Sequence, residues 1–202
     1  MTPSSIRSAL DELAKRDSEL AEAITLVGYP EPRFREPGFA TLLGIIVGQQ
    51  VSASAAAAIR GRLIEAVEPL TPENFLSKED DVLRGVGLSR RKVEYGKGLA
   101  AEMRDGSLDT ERLTSLEDEE VIAAITAVRG LGRWSADIYM LFALGRHDVW
   151  PAEDLAVAEA LKRLKGLDER PDRALSEAVI EHWRPWRGIG ALFLWHYYQG
   201  AP

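Results

Sequence analysis

The sequence contains no cysteine and only three histidines among its 202 residues. Without cysteine the chain has no disulfide, no thiolate nucleophile, no cysteine-bound zinc and no ordinary cysteine-ligated iron–sulfur cluster. Three histidines, His147, His182 and His196, also argue against a metal site built from imidazoles. We therefore expect a protein that requires no cofactor.

Long apolar segments are also missing from the chain. The sequence has no run of eighteen apolar residues, which is about the length that a membrane helix needs. The N-terminus is polar from Thr2 to Ser5 and does not resemble a secretory signal. These features predict a soluble, cytoplasmic protein without a membrane partner.

Positive charge is in short supply, because 25 basic residues face 32 acidic ones and the net charge is −7. This balance argues against nucleic-acid binding through the overall field of the protein. The charge is uneven, however, since the stretch Arg84–Gly98 contains several basic residues and a single acid, Glu94. A local basic face on an acidic body can still contact phosphates.

Apolar residues recur at helical spacing along nearly the whole chain, and alternating runs typical of strands are few. Proline and glycine clusters divide this pattern into about ten short helices. The predicted breaks fall at residues 30–37, 69–72, 85–89, 105–107, 130–132, 145–151 and 166–171. The fold is therefore predicted to be all-α. Within it, the alanine-rich stretch Ala53–Ala58 favours a closely packed core helix.

The most informative segment runs from Val128 to Ala136 and reads VRGLGRWSA. Two glycines flanking one leucine are typical of a tight hairpin between helices, in which Gly130 and Gly132 permit a close approach of the backbone to a ligand. The helix that follows directs free N–H groups and the positive end of its dipole outward, where a phosphate can bind. Taken alone, the pattern is weak evidence and favours an ordinary helix turn.

A second segment, VWPAEDLAV at residues 149–157, places Asp154 22 residues after Gly132. The hairpin and this segment together resemble the helix-hairpin-helix DNA glycosylases, and within them the 3-methyladenine DNA glycosylase II family. Three further segments agree with that family in the same order: IVGQQVS at 46–52, GLSRRKVEY at 87–95, and PWR at 185–187 with Trp195 ten residues after the proline. The resemblance runs from about Phe39 to the C-terminus, and five ordered motifs are far more specific than one.

The resemblance implies which residues of the hairpin contact DNA. The backbone amides of Gly130, Gly132 and Ser135 are expected to face a phosphate. The backbone carbonyls nearby are expected to hold a monovalent cation, Na⁺ or K⁺. The residues that supply these carbonyls are Thr126, Val128 and Leu131. Basic DNA-binding candidates on or beside the hairpin are Arg90, Arg91, Lys92 and Arg133.

Gln49 and Gln50 match the turn from which family members insert a side chain into the gap left by a flipped nucleotide. Some relatives have leucine at the position of Gln50, so the polar side chain is a departure from their pattern. An alternative interpretation is that both amides satisfy backbone groups at helix ends.

Trp134 and Trp195 match aromatic residues that line the base pocket of the family, where a tyrosine of some relatives aligns with Ile138. An alkylated purine is cationic, and an indole face attracts a cation more strongly than it attracts a neutral base. Packing in the core is the alternative role for both tryptophans. In relatives that also cut the strand, a lysine stands where this chain has Trp134. No lysine lies between Lys97 and Lys162, so the resemblance implies no lyase activity.

The resemblance assigns the catalytic carboxylate to Asp154. A structural alternative is a helix N-cap, since Pro151 opens a helix and acidic residues favour its first turn, and the two roles are compatible. Glu153 is the rival catalytic residue. The family pattern places its aspartate two residues before a small residue and three before a valine, which are Ala156 and Val157 here.

These observations predict a helix-hairpin-helix glycosylase fold with two helical lobes around a DNA-binding cleft and no N-terminal β domain. Residues 38–147 are expected to form a central lobe with the hairpin, and residues 1–37 plus 148–202 a second lobe with the catalytic aspartate.

The expected function is that of a monomeric DNA repair enzyme. It would hydrolyse the N-glycosidic bond of alkylated purines such as 3-methyladenine and 7-methylguanine in double-stranded DNA by base flipping, and leave an abasic site. A non-catalytic DNA-binding module is one alternative, but it has no need of Asp154 or of the pocket tryptophans. An all-α scaffold without a DNA role is another, but it leaves five ordered motifs unexplained.

Overall fold

The computed structural model describes residues 1–200, and within that range the chain forms α-helices, two short 3₁₀ segments and no strand, which confirms the predicted all-α fold. The α-helices are α1 (Pro3–Ala14), α2 (Ser18–Val27), α3 (Phe39–Gly48), α4 (Ala53–Ala66), α5 (Pro72–Leu76), α6 (Asp80–Gly85), α7 (Arg90–Arg104), α8 (Asp118–Ala127), α9 (Arg133–Phe142), α10 (Leu155–Lys165), α11 (Arg173–Val179) and α12 (Arg187–Gly200). The 3₁₀ segments are Arg112–Ser115 and Glu181–Trp183. None of the helices in residues 1–200 combines the length and apolarity that crossing a bilayer needs.

The described range has twelve α-helices, against about ten predicted. Two breaks that the sequence did not predict occur before polar N-caps. Asp17 Oδ1 accepts from the Leu20 N–H at 3.0 Å where α2 begins, and Ser52 Oγ accepts from the Ala55 N–H at 3.2 Å where α4 begins. Such side chains satisfy the amides that a helix start leaves without acceptors.

The chain divides into two compact units. The hairpin unit comprises residues 35–139, and the terminal unit comprises residues 1–34 with the described residues from 140 on. The division therefore falls within α9, after Tyr139. The predicted lobe boundaries, and a cleft between lobes, stay predictions.

The core of the hairpin unit lies between α3 and α7, with α5 and α6 also packed against α7. Nearly every side chain of α3 is buried, from Phe39 to Val47. Gly96 on α7 allows this packing, because a Cβ there would lie 2.9 Å from the Phe75 ring and 3.0 Å from Leu43. The glycine therefore fixes the position of α7, whose first turn carries the basic residues.

The alanine-rich start of α4 is not a core segment, so that prediction was wrong. Five of the six residues of Ala53–Ala58 are exposed, and Ala56 is half-buried. The helix packs into the hairpin unit through Ile59 and Leu63 instead. Alanine is the best helix former irrespective of burial, so its abundance predicted the helix correctly and its environment incorrectly.

Helix α12 is the centre of the terminal unit and packs against α1, α2 and α10. All eight residues of its stretch 188–195 are buried. A Cβ at Gly190 would lie 2.4 Å from the fully buried Trp183 indole, so glycine is required for this contact. The close packing fixes α12, and with it Trp195, relative to α10.

A buried carboxylate joins several parts of the terminal unit. Asp17 is 3% exposed, and it accepts hydrogen bonds from Lys165 Nζ (2.6 Å), Trp183 Nε1 (2.6 Å), His182 Nε2 (2.9 Å) and the Leu20 N–H (3.0 Å). Burial by itself raises the pKa of Asp17, but these hydrogen bonds outweigh it and hold the pKa at about 2, against an ordinary 3.8. The carboxylate therefore stays ionised and ties α2 to the end of α10.

Candidate active site and DNA-binding surface

The predicted hairpin connects α8 to α9 in the hairpin unit. Gly130 has a φ of +96°, and a Cβ there would lie 2.4 Å from the Tyr95 ring, so both the backbone angle and the space require glycine. Leu131 is buried and anchors the turn, and its N–H donates to the Val128 carbonyl at 3.1 Å. The hairpin thus rests directly on α7.

Gly132 precedes the first turn of α9, since its carbonyl accepts from the Ala136 N–H at 3.1 Å. The residue is exposed, and a Cβ there would have no atom within 4 Å. The first amides of a helix have no acceptor within that helix, so α9 presents N–H groups beside an open approach. Ser135 as a whole is buried, at 1% exposure, and the contact of its backbone amide with a phosphate stays a prediction.

Gln49 and Gln50 form the turn between α3 and α4. Gln49 Nε2 donates to the Gly130 carbonyl at 2.9 Å, so this side chain satisfies a backbone group of the hairpin. Gln50 is exposed and has a φ of +56°. Among residues 1–200 it is the only non-glycine residue with a positive φ. This conformation is strained for a side chain with a Cβ and occurs preferentially at functional sites. The two amides therefore differ: Gln49 holds the hairpin, and Gln50 is exposed on the turn.

A cavity of about 280 Å³ opens where this turn, the start of α7 and the hairpin meet. Its lining residues are Gln49, Gln50, Ser89, Arg91, Lys92, Tyr95 and Gly130. Three of the five sequence motifs thus come together in one place, although they are far apart in the chain.

The basic residues around α7 are not equivalent. Lys92 Nζ donates to the Val47 carbonyl at the end of α3 at 2.8 Å, and burial lowers the pKa of this lysine. Lys97 is paired with Asp80 at 2.5 Å. Arg90 and Arg91 are exposed and have no ion pair within residues 1–200. These two arginines are the positive charges of α7 that remain available to a phosphate.

Trp134 and Ile138 lie one turn apart on α9, so they share a face of that helix. Trp134 is half-buried, whereas Ile138 is 5% exposed. Arg133 is held on the same helix by Asp137, with its Nε 3.0 Å from Oδ1. Trp134 is therefore the more accessible of the two predicted pocket residues of the hairpin unit.

Asp154 is the N-cap of α10 in the terminal unit. Its Oδ1 accepts hydrogen bonds at 3.0 Å from the Ala156 N–H, the Val157 N–H and Trp195 Nε1. Three donors converge on one oxygen, which fixes the plane of the carboxylate at the positive end of a helix. The rival Glu153 is exposed and pairs with Arg173 at 3.2 Å. Asp154 is thus the more strongly oriented carboxylate.

The PWR motif holds the segment that leads to Asp154. Arg187 Nε and Nη2 donate to Asp148 Oδ1 (3.0 Å) and Oδ2 (2.9 Å), and the Gly188 N–H donates to the His147 carbonyl at 2.7 Å. A Cβ at Gly188 would lie 2.7 Å from that carbonyl oxygen, so only glycine allows the contact. The start of α12 and the segment before Asp154 are therefore fixed together.

Sequence reasoning missed one residue near the carboxylate, Arg33. Its Cζ lies 5.8 Å from the centre of the Trp195 ring, and Asp154 acts on its charge. Desolvation lowers the pKa of this guanidinium, and Asp154 opposes that shift. No signal in the sequence pointed to Arg33, because it lies in an irregular segment before the first motif, 121 residues from Asp154.

The structure groups the predicted site residues into two sets. In the hairpin unit, Gln49, Gln50, Arg91, Lys92 and Gly130 meet around one cavity, with Trp134 and Ile138 on the helix that follows the hairpin. In the terminal unit, Asp154 and Trp195 are hydrogen-bonded to each other. Their roles in catalysis and DNA binding stay predictions.

Comparison with known proteins decides the family. The sequence profile of the HhH-GPD superfamily of base excision DNA repair proteins matches residues 43–185, which is more than half of the chain. The chain belongs to this superfamily. Its match contains the hairpin, Asp154 and the turn at Gln49 and Gln50, in agreement with the resemblance found in the sequence.

The chain is similar to several named proteins and solved structures. The chain is 31% identical over 196 residues to the DNA-3-methyladenine glycosylase 1 of Schizosaccharomyces pombe, covering 93% of this chain and 83% of the relative. A structure of the S. pombe 3-methyladenine DNA glycosylase in complex with abasic DNA aligns with a TM-score of 0.84, 28% identity and coverage of 93% and 95%. A DNA-3-methyladenine glycosidase of Bacillus halodurans aligns with a TM-score of 0.79, 32% identity and coverage of 94% and 88%.

Proposed function

We propose that this HhH-GPD protein is a monofunctional DNA glycosylase that acts as a monomer on double-stranded DNA. It hydrolyses the N-glycosidic bond of alkylated purines of the 3-methyladenine and 7-methylguanine type, and it leaves an abasic site. The observation that carries the proposal is the Asp154 carboxylate, oriented by the start of α10 and by the Trp195 indole. The names of the S. pombe and B. halodurans relatives support the substrate class.

Asp154 acts on the sugar. Cleavage of the glycosidic bond leaves positive character on the sugar as the base departs, and an alkylated purine departs readily because it is already cationic. A fixed carboxylate stabilises the oxocarbenium-like state and guides a water molecule to the anomeric carbon. The hydrogen bonds to Oδ1 orient the group before the substrate arrives, so little reorganisation is needed during the reaction.

The flipped base is the proposed ligand of Trp134 and of Trp195, and Ile138 adds apolar surface on the same face of α9 as Trp134. Each indole offers an electron-rich face to which a cationic purine binds more strongly than a neutral one. Selection of damaged bases then has two sources, the attraction to the indoles and the better leaving group.

The hairpin unit holds the DNA backbone. The amides of Gly130, Gly132 and Ser135 bind a phosphate at the start of α9, where the helix dipole also favours an anion. Arg90 and Arg91 bind phosphates beside it. Lys92 and Arg133 add positive charge beside this phosphate, although each already has a hydrogen-bond partner within the unit.

Gln50 is the side chain that enters the gap left by the flipped nucleotide. Its exposure and its positive φ support this role, because an exposed side chain on a strained turn is accessible to DNA. The hydrogen bond from Gln49 to the Gly130 carbonyl keeps the turn in register with the hairpin.

The proposal includes a monovalent cation, Na⁺ or K⁺, held by the backbone carbonyls of Thr126, Val128 and Leu131. Helix α8 ends at Ala127, so the carbonyl of Thr126 lies in the last turn, where helical partners run out, and Val128 and Leu131 follow within the turn. Neutral carbonyl oxygens suit such an ion, which would supply positive charge beside a bound phosphate. No step of base release depends on it.

The lack of strand cleavage rests on Trp134, which stands where the bifunctional relatives have a lysine. The indole has no amine with which to attack the sugar, and residues 98–161 contain no lysine to replace it. The expected product is an abasic site in an intact strand.

Release of free bases from methylated duplex DNA tests the proposal. The wild-type protein should release 3-methyladenine and 7-methylguanine, identified by chromatography, and the strands should break only after alkali treatment of the product. DNA that is bound but yields no free base would instead support the alternative of a non-catalytic binding module. Strand breaks before alkali treatment would contradict the monofunctional assignment.

A further inference from the structure

Arg33 lies beside the two residues of the terminal unit that the proposed reaction uses. Its guanidinium carbon is 5.8 Å from the centre of the Trp195 ring, and the indole N–H of that ring donates to Asp154 Oδ1 at 3.0 Å. The negative charge of Asp154 also stabilises the guanidinium against desolvation. One cation is therefore placed both against the indole and near the carboxylate.

Trp195 is only 8% exposed, and two groups lie near its ring. One is the Phe142 ring, whose centre lies 5.5 Å away and which is itself buried in the core at 4% exposure. The other is Arg33, which is exposed and comes from the irregular segment between α2 and α3. A ligand can reach the indole more readily by displacing Arg33 than by displacing Phe142.

A guanidinium is a planar, delocalised cation, and so is an alkylated purine. We propose that Arg33 occupies the place over Trp195 that a cationic base takes, and that it is a specificity-determining residue. This inference rests on the function proposed above. A cationic base that replaces Arg33 regains the interaction with the indole and the attraction of the carboxylate, whereas a neutral base regains neither in full. Arg33 therefore acts as an internal competitor that a normal base displaces poorly.

A consequence follows for DNA that lacks the base. The place over the indole is then open to Arg33, whose positive charge lies near Asp154 and competes with any positive charge on the sugar. Removal of the Arg33 charge should strengthen the binding of a cationic sugar analogue and leave that of a neutral one nearly unchanged.

Two duplexes of identical sequence provide the probes, one with a neutral tetrahydrofuran abasic analogue and one with a cationic pyrrolidine analogue. The ratio of their Kd values, measured at one salt concentration, cancels the contacts to the DNA backbone. Arg33→Gln should raise the preference for pyrrolidine about threefold, the size of an exposed charge–charge interaction. Arg33→Lys keeps the charge and should retain the wild-type ratio.

Arg7→Gln is the matched control. Arg7 is also exposed in the terminal unit and also stacks on an aromatic ring, at 4.5 Å from the centre of Tyr29, so this variant removes an equivalent charge from a different ring. It should retain the wild-type ratio. Circular dichroism and thermal melting check that all three variants fold.

An Arg33→Gln ratio that is unchanged or lower would overturn the inference, as would an equal rise in Arg33→Lys or Arg7→Gln. If the wild-type protein released base from methylated DNA while the Arg33→Gln ratio stayed constant, only the role of Arg33 would fail. If the wild-type protein released no base and bound neither analogue more tightly than undamaged duplex, the proposed function itself would fail.

Discussion

At the scale of single residues, Gly130 is subject to two independent constraints. Its φ is +96°, and a Cβ would meet the Tyr95 ring at 2.4 Å. Gly130→Ala should therefore lower the free energy of unfolding by about 2 to 3 kcal/mol. Chemical denaturation followed by circular dichroism measures this change.

Gly132→Ala is the matched control for that variant. Gly132 lies two residues further along the same hairpin, and a Cβ there has no atom within 4 Å. Its substitution should change the stability by less than about 1 kcal/mol. Equal losses in the two variants would show that the hairpin does not depend on the packing of Gly130 against Tyr95.

The sequence identified individual site residues only where they lie within a motif. Asp154 and Trp195 were found through the family resemblance, and they are hydrogen-bonded to each other. For Gln49 the sequence left two interpretations open, and the bond to the Gly130 carbonyl favours the structural one. Arg33 could not be found, since its contact with Trp195 depends on how distant segments pack and leaves no local pattern.

At the scale of elements, the first turn of α7 carries two exposed arginines, Arg90 and Arg91. Each phosphate that a protein neutralises adds about 0.9 to the slope of log K against log salt on B-DNA. Replacement of both by alanine should weaken DNA binding and reduce that slope by about 1 to 2, without changing which base is released. Titrations of fluorescent duplex DNA at several salt concentrations provide the measurement.

Arg104→Ala controls for the loss of charge, because Arg104 lies at the opposite end of α7 and pairs with Asp105 at 2.8 Å. Its slope should equal that of the wild-type protein. If replacing Arg90 and Arg91 left the salt slope unchanged, the DNA would bind elsewhere on the molecule.

The buried Asp17 joins α2, the end of α10 and the second 3₁₀ segment, so its charge should contribute to the stability of the terminal unit. Its pKa is about 2 in the folded protein, below the ordinary 3.8. A lowered pKa stabilises the folded state fully above 3.8, and this contribution is lost as the pH falls from 3.8 towards 2. The difference between these two pKa values corresponds to about 2 kcal/mol of folding free energy.

Asp17→Asn should therefore cost about 3 kcal/mol at neutral pH, since it also leaves Lys165 without its buried partner. Between pH 4 and 2 the unfolding free energy of the variant should vary less steeply than that of the wild-type protein. Asp172→Asn is a suitable control, because Asp172 is an exposed N-cap and asparagine caps a helix equally well. If both variants lost the same stability, the buried network would not be the cause.

Element boundaries were predictable where proline or glycine marked them, as before α3 and after α8. They were missed where a helix begins at a polar N-cap that no proline or glycine cluster precedes, as at Asp17 and Ser52. The burial of α4 was predicted wrongly because alanine favours a helix in any environment, and only Ile59 and Leu63 face the core.

At the scale of the whole molecule, an acidic chain with net charge −7 belongs to a family of DNA repair proteins. The local distribution of charge on α7 explains how an acidic protein can belong to a family that acts on DNA. Lys97 is neutralised by Asp80, and Lys92 is used within the hairpin unit, so a small number of exposed arginines is available to DNA. Composition argued only against binding through the overall field of the protein, and the order of five motifs was the better guide to the family.

The central claim is that the Asp154 carboxylate drives release of the base. Single-turnover release of 7-methylguanine from a defined duplex tests it most directly, with Asp154→Asn compared with the wild-type protein and with Asp172→Asn as the N-cap control. Asparagine preserves the cap of α10 and removes the charge, so the rate should fall at least about 100-fold while folding and binding of abasic-analogue DNA persist. Asp172→Asn should keep the wild-type rate. Release by Asp154→Asn at a rate near that of the wild-type protein would contradict the account.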